Sequence, residues 1–558
     1  LSLITDEYRQ LVLLTNRATQ AATSGVDKVN PVESGLKAAK ATLHFARHHP
    51  DAALSAFAAA AHDKSIIHIP AFKTALIIAI LSYRSQLNEH YAQHLIGASF
   101  CLTACLPPDG HADIIDGKKS RLVNLLAQKC ARLKLSLWRD IIKTHRLVNH
   151  ERSISFITSG ALNDSQRWFL LAAYIAKESP KQPLSQIIRQ IVSYIPARFH
   201  TLMAQWLSFP GEYLPGSQCV YHGDRIILLT VSKKCLGAVR FHAHAPPEFI
   251  TLSSEELCYE ATSTVTLANW SKYAEKYTHE CKALQSPDWP YALTFPVSYP
   301  PARLLRIIDM LHKSDTDIPT LVTEVTQEPL FSKALTQAAT QDNRMQLPVN
   351  DVKQAVLTYG FERVGDMLVQ QALTQRLTQR FYPLEHTCYQ FSALAAGVAS
   401  CLATMTKSRL TSESAGLIST FLTGPLFSIP ALKILCRFPH SELRHFDINC
   451  LIKLAPGMRL SDLAKDLAKS WHQPQLHIAI ISQMGKLPAE CPESIKREYG
   501  IIMLSLYWSR KWLFASSPPC SDTQEALNQA STLLNLDEDT EAILQEQFSH
   551  QIFTHLSL

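Results

Sequence analysis

The sequence predicts a mostly α-helical protein: two helical bundles with a small antiparallel β module between them. Three observations carry this. The chain of 558 residues is 46% apolar, only 18% charged, and has just 18 glycines, a balance that suits long helices with buried faces. Apolar residues recur at three- and four-residue spacing through most of the chain. One stretch, 215–252, breaks that rhythm with short β-favouring runs that alternate with turns.

The length calls for more than one core. Residues 1–205 read as one helical domain. Its segments PAFKTALIIAILSY and DSQRWFLLAAYIAKE carry apolar faces bounded by Pro, Asn or Asp. Residues 206–255 hold the β module, three or four strands with turns at Gly223-Asp224, Lys234 to Gly237 and Pro246-Pro247. Such a module needs a neighbour to pack on, and the preceding helices are expected to supply it. A helix and a proline- and aromatic-rich segment, QSPDWPYALTFPVSYPP, fill 256–297 and the residues just beyond, as a linker or a strap over a surface. A second helical domain spans 298–545, and 546–558 form a tail. Within it, Asn350 is expected to cap a helix whose stripe is Val352, Ala355, Val356 and Tyr359, with Gly360 ending it. The next helix buries Val364, Met367, Leu368 and Ala372.

Composition excludes several functions. The formal charge of +6 is scattered in small groups such as Lys129, Arg132 and Lys134, so no nucleic-acid partner is expected. Thirteen cysteines occur without a CxxC pair, which suits reduced thiols in the cytoplasm. Asp6 and Glu7 interrupt the N-terminal stretch, so no signal peptide is expected. Two uncharged runs, 387–406 and 414–432, are long enough for a bilayer. Their Ser, Thr, Ala and Gly content, with Pro425 and Pro430, favours buried core over membrane insertion. There is no Walker motif, no GxSxG elbow and no glycine-rich phosphate loop.

Two stretches of the second half, QEPLFSKALTQAA (327–339) and LPVNDVKQAVLTYGFERVGDMLVQQAL (347–373), resemble the HDOD family, a bacterial signalling domain related to the HD phosphohydrolases. The family's glycine corner falls on Tyr359-Gly360-Phe361-Glu362-Arg363. LAKDLAKSWHQPQLHIAIISQMG (463–485) is similar to its closing helix pair around Trp471. The first half resembles the HD-GYP phosphodiesterases of cyclic di-GMP in LPGSQCVYHGDRIILLTV, in AHDKSIIHIPAFKTALIIAI and in DIIKTHRLVNHERSISF. The resemblance implies two HD-superfamily-like bundles, the first a degenerate HD-GYP-like domain.

Catalysis in that superfamily needs histidines, an adjacent His-Asp and a further aspartate, because a carboxylate must bridge two metals while imidazoles fix them. The resemblance puts the first-half His-Asp position at Leu102, Thr103 and Ala104, and the final aspartate in FLLAAYIAKE, which has none. Asn149-His150-Glu151-Arg152 replaces Gly-Tyr-Pro after His145. The dipeptide His62-Asp63 falls before the first ligand helix, as a cap or surface pair. In the second half Thr423-Gly424-Pro425 stands at the His-Asp position, and Gln483-Met484 where relatives place paired histidines. His44, His48 and His49 lack the glutamate of a zincin. His111 and Asp113 with His145 and His150 form one possible vestigial metal grouping, and His242 and His244 mark a sheet edge.

The expectation is a non-catalytic cytoplasmic signalling protein of bacterial type, with no catalytic, cofactor-binding or metal residues assigned and no cofactor. It would act through protein partners. Three alternatives stay open: a residual metal-dependent phosphohydrolase, a cyclic di-GMP sensor without hydrolysis, and a plain helical interaction protein.

Overall fold

The computed structural model describes residues 3–23, 30–104, 117–148, 155, 157, 162–195, 200, 203, 213–231, 235–242, 245–253, 263–280, 295–313, 316–342, 349–514 and 518–549. They form twenty-one α-helices and one five-stranded sheet, so the fold is mostly α as the composition predicts. The chain divides into two compact units. Unit 1 comprises 1–293 with the short pieces 380–383 and 433–436, and unit 2 comprises the rest.

Unit 1 contains α1 (Leu3–Thr23), α2 (Pro31–His48), α3 (Pro50–Ala59), α4 (Ile69–Arg84), α5 (Glu89–Ser99), α6 (Gly117–Arg132), α7 (Ser136–Val148), α8 (Asp164–Glu178), α9 (Leu184–Val192) and α10 (Leu267–Glu280). Helix α4 is its axis. Ala75 through Leu81 are fully buried on every side, as a helix that is apolar all round must be. Helices α2, α3, α5 and α8 pack around it. Local chemistry sets the starts: Asn163 and Gln166 close a reciprocal capping box on α8, and Asn88 accepts from the Tyr91 N–H at the head of α5. Helices α2 and α5 approach closely at Gly35 and Gly97, where the absence of side chains leaves room for the Trp138 ring. A Cβ at Gly97 would lie 2.8 Å from Trp138 Cζ2.

The sheet of unit 1 has strands β1 (Ser217–Tyr221), β2 (Asp224–Val231), β3 (Leu236–Phe241), β4 (Glu248–Leu252) and β5 (Ser263–Thr264), in the order β4-β3-β2-β1-β5. Every pairing is antiparallel. Two details refine the sequence expectation. The first turn is His222-Gly223, both at positive φ, with Asp224 already opening β2, the geometry that suits strand twist in a two-residue hairpin. The module also gains β5, a two-residue strand too short to stand out as a run. Through β2 the sheet packs on α3, which precedes it, and on α10, which follows. Gly237 makes room for the second contact, since a Cβ there would meet the Tyr277 hydroxyl at 2.5 Å.

Unit 2 contains α11 (Ala302–Leu311), α12 (Ile318–Thr326), α13 (Pro329–Asp342), α14 (Val352–Leu377), α15 (Glu385–Met405), α16 (Ser412–Thr423), α17 (Leu460–Ser470), α18 (Gln475–Ser482), α19 (Lys496–Phe514), α20 (Ser521–Leu534) and α21 (Thr540–Gln547). Asp351, one residue later than expected, caps α14 by accepting from the Lys353 N–H; Asn350 is displaced because the shorter reach from Asp351 already satisfies that amide. The stripe Val352, Ala355, Val356 and Tyr359 is buried. Gly360 stops the helix at φ +74 and ψ 164, and a second helical run leaves at once in a new direction. Val364, Leu368 and Ala372 are then buried, whereas Met367 is only half-buried and borders a cavity.

Helix α15 is long and apolar enough to cross a membrane by length and composition. Here Phe391, Leu394, Ala395, Val398 and Leu402 are buried, and the helix packs on α16 and α19. The second uncharged run breaks at Thr423 into 3-10 turns over Gly424–Phe427 and Pro430–Ile434.

Candidate functional site

The His62-Asp63 dipeptide of unit 1 closes a turn. His62 is exposed at the end of a 3-10 turn, and the Asp63 carboxylate accepts from the Ser65 N–H at 2.9 Å, the Ser65 hydroxyl at 2.6 Å and the Tyr8 hydroxyl at 2.7 Å. Partial burial opposes the Asp63 charge, but these donors prevail and hold the carboxyl below its ordinary range. His68, five residues on from Asp63, caps α4 through Nδ1, which accepts from the Ala71 N–H at 3.2 Å. Leu102, Thr103 and Ala104 are buried in a 3-10 turn, where Thr103 donates to the Phe100 carbonyl at 2.9 Å. Phe169 to Ala173 are buried in α8.

The other histidines scatter. His44 and His48 stack at 4.1 Å, and His49 Nε2 lies 3.2 Å from a Glu7 oxygen. His242 bridges Asp224 and Glu248, each at 3.2 Å, just past the end of β3. His111, Asp113, His150 and His244 lie outside the described residues, as does the side chain of His145. Among the described residues no group of three or more His, Cys, Asp or Glu is placed to hold a metal ion.

In unit 2 Thr423 belongs to a hydroxyl knot. The Thr423 and Ser392 hydroxyls lie 2.6 Å apart, and Thr423 donates to the Ser419 carbonyl at 2.9 Å. A Cβ on Gly424 would lie 2.9 Å from Leu467 Cδ2, so the next position is closed by apolar packing. Beside the knot is a cavity of about 380 Å³ whose polar wall consists of Gln370, Gln371, Thr374, Ser392, Ser400 and Thr420. Gln370 donates to the Thr420 hydroxyl at 3.0 Å. These are neutral amides and hydroxyls, poor ligands for the borderline metals that histidine and carboxylate favour.

A larger cleft of about 740 Å³ opens on the other side of α14. Its apolar walls come from Leu304, Ile308 and Leu311 of α11, Val369 of α14, and Trp471 with Leu476 around the α17–α18 connection. Its size is that of a small-molecule site. The polar groups are Glu362 and Asp366, one turn apart on α14, together with His312, Arg409, Ser414, His472, Gln473 and His477. Glu362 and Asp366, four residues apart on the helical run that follows Gly360, share this face.

Burial pushes the Asp366 carboxyl up to about 6, with the Glu362 and Glu413 charges adding to the rise; the Ser414 hydroxyl, which donates to it, and His312 oppose it. Next to it Arg363 is occupied by Glu413, to which Nε donates at 2.8 Å. Burial disfavours the Glu413 charge, yet the Arg363 hydrogen bonds win and hold it below its ordinary range. His477 is pushed down to about 4 by burial and accepts a neutral role, its Nδ1 3.2 Å from the Gln473 amide oxygen.

The strap of the sequence ends at this cleft. The Gln379 side chain accepts from the Phe295 N–H at 2.8 Å and donates to its carbonyl at 2.6 Å. The Trp471 indole donates to the Val297 carbonyl at 2.8 Å, and Pro300 lines the cleft. Sequence reasoning missed the cleft. Glu362 and Asp366 at i, i+4 are its one local signal, and the other walls come from segments more than 40 residues away on either side.

No family model matches the chain, and none of the curated proteins does. Among solved structures, it is similar to a candidate phosphohydrolase from Shewanella amazonensis SB2B at 14% identity, covering 46% of this chain and 91% of that one with a TM-score of 0.33. It is similar to an HDOD domain protein of unknown function from Geobacter sulfurreducens at 14% identity, covering 45% and 88% with a TM-score of 0.31. The MmoQ response regulator of Methylococcus capsulatus aligns at 15% identity, 44% and 93% coverage and a TM-score of 0.23. Likeness of this size assigns no residue and no activity.

Proposed function

We propose that this chain is a regulatory protein of HD-type helical architecture that works by binding rather than by catalysis. Unit 2 is its HDOD-like module, acting on protein partners in the cytoplasm, and unit 1 is a degenerate relative of the HD-GYP domains. The observation that carries this reading is the Thr423–Ser392 hydroxyl pair, with Gly424 packed against Leu467, where the resemblance puts a metal-binding His-Asp. A two-metal hydrolase needs a bridging carboxylate there, and a threonine hydroxyl bonded to backbone and serine is already saturated. The amides and hydroxyls of the neighbouring cavity support the same reading.

The test is elemental analysis of the purified chain together with turnover of cyclic di-GMP in added manganese. The expected result is metal well below one equivalent and no turnover. Stoichiometric metal that is lost in His145→Ala or His150→Ala would overturn the reading in favour of a phosphohydrolase housed in unit 1.

A further inference from the structure

We propose that the 740 Å³ cleft of unit 2 binds a small organic cation, a primary amine on an apolar body, with the ammonium against Asp366 and Glu362 and the body between α11 and Trp471. The inference rests on the binding reading of unit 2 and gives it a ligand class.

The cleft divides into two parts. One wall is hydrocarbon, formed by Leu304, Ile308, Leu311 and Val369, and it suits an apolar body. The other carries two carboxyls one turn apart, of which Asp366 is the inner. The cation nearest in sequence, Arg363, is drawn off by Glu413. The charges that reach Asp366 are the like charges of Glu362 and Glu413 and the single imidazole of His312. Arg409 and His472 line the cleft as exposed groups, and His477 is buried beside Gln473. Ser414 gives Asp366 one hydroxyl donor. A carboxylate in that setting gains most from an ammonium, which supplies both charge and further donors.

Gly365 lies between the two carboxyls and provides a second handle. A Cβ there would rest at 3.6 Å from Ile308 Cδ1 and 3.7 Å from Leu311 Cδ1, ordinary contact, so the backbone tolerates a side chain. A longer one would run into the cleft. Gly365→Leu therefore fills the site while leaving both carboxyls in place.

Calorimetry on the full chain with 2-phenylethylamine, its neutral isostere 2-phenylethanol and the anion 3-phenylpropanoate tests this. The expected result at about pH 7.5 is one saturable amine site per chain, about tenfold or more tighter than the alcohol, with no binding of the anion. The preference should shrink at about pH 5, where Asp366 takes up a proton. Asp366→Asn should lose about tenfold, and Gly365→Leu should abolish binding with the melting temperature retained. If Asp366→Asn fails to fold, the Gly365→Leu variant and the amine–alcohol ratio decide. Equal binding of amine and alcohol, amine binding indifferent to Gly365→Leu, or no saturable binding up to about 10 mM would each overturn the proposal. None of these outcomes bears on metal content or turnover, by which the regulatory reading is judged separately.

Discussion

The Arg510 guanidinium donates through Nε to His440 Nε2 at 3.2 Å, and its remaining donors go to backbone carbonyls. Nη1 reaches the His445 carbonyl at 3.2 Å, and Nη2 is shared among those of Ser441, Leu443 and Cys450. Arg510 is 2% exposed. Burial, with the guanidinium's charge beside it, pushes His440 down to about 4, which keeps the imidazole neutral and able to accept. One side chain of α19 thus satisfies the backbone of an irregular segment, 440–450, that has little ladder of its own. Arg510→Met should cost about 3 kcal/mol or more, since several buried carbonyls lose their donor. Arg510→Lys, with three donors and no planar fork, should lie between. Urea unfolding is the measurement, and a methionine variant as stable as the parent would rule out the carbonyl cage as a stabilising element.

Trp471 and Gln379 hold the strap 295–301 from two sides. Each contributes through hydrogen bonds to backbone atoms of the strap, and Arg376 adds a guanidinium 4.0 Å from the Phe295 ring centre. Gln379→Ala should therefore release the strap's first residues at a stability cost of only about 1 kcal/mol. Limited proteolysis would show faster cleavage near Phe295 and Tyr299, both exposed, with little change in melting temperature. An unchanged cleavage rate would mean that Trp471 alone secures the segment.

Much of this architecture was legible because it is written locally. The apolar run of α4, the stripe ending at Gly360 and the turn-separated β-favouring runs of β1 to β4 are short-range patterns with one physical solution each. The sequence places the cap one residue early, at Asn350, because Asn and Asp are equally good caps and only reach decides between adjacent candidates. The strap could be recognised as proline-rich, but whether it was hinge or strap depended on Trp471, some 170 residues later. The Arg510 cage left no signal, since its acceptors are carbonyls that every residue has. The cleft was hidden for a related reason: His312, Asp366, Arg409 and His477 are unremarkable singly and meet only in the folded bundle.

Asp51, in the first turn of α3, gives unit 1 a pH dependence. It faces the Thr230 side chain and the Val231 N–H at the end of β2, and its Oδ1 is buried without a hydrogen-bond partner among the described residues. Burial pushes the carboxyl up to about 7. A folded-state value above the unfolded one means that the folded form holds a proton the unfolded chain releases, so this contribution falls as pH rises from about 4 to about 7. Asp51→Asn removes the titration. The variant should gain on the parent by on the order of 2 kcal/mol between about pH 5 and pH 7, read from parallel denaturation curves. A constant difference across that range would show that Asp51 ionises normally.

Gly360 tests the corner on which the cleft depends. At φ +74 and ψ 164 it occupies a region open in practice to glycine alone, and a Cβ there would meet nothing within 4 Å. The penalty for a side chain is therefore one of backbone conformation, with no steric neighbour able to relax it. Gly360→Ala should destabilise by about 1–3 kcal/mol. Gly365→Ala, five residues on inside the helix with φ in the ordinary range, should be neutral or stabilise by about 1 kcal/mol. The contrast matters more than either value, because both changes add the same methyl group. If alanine at 360 allows a continuous helix instead, Glu362 and Asp366 rotate away from α11 and Trp471, and amine binding should vanish along with the stability loss. Retained amine binding in a folded Gly360→Ala protein would show that the corner does not aim these carboxyls.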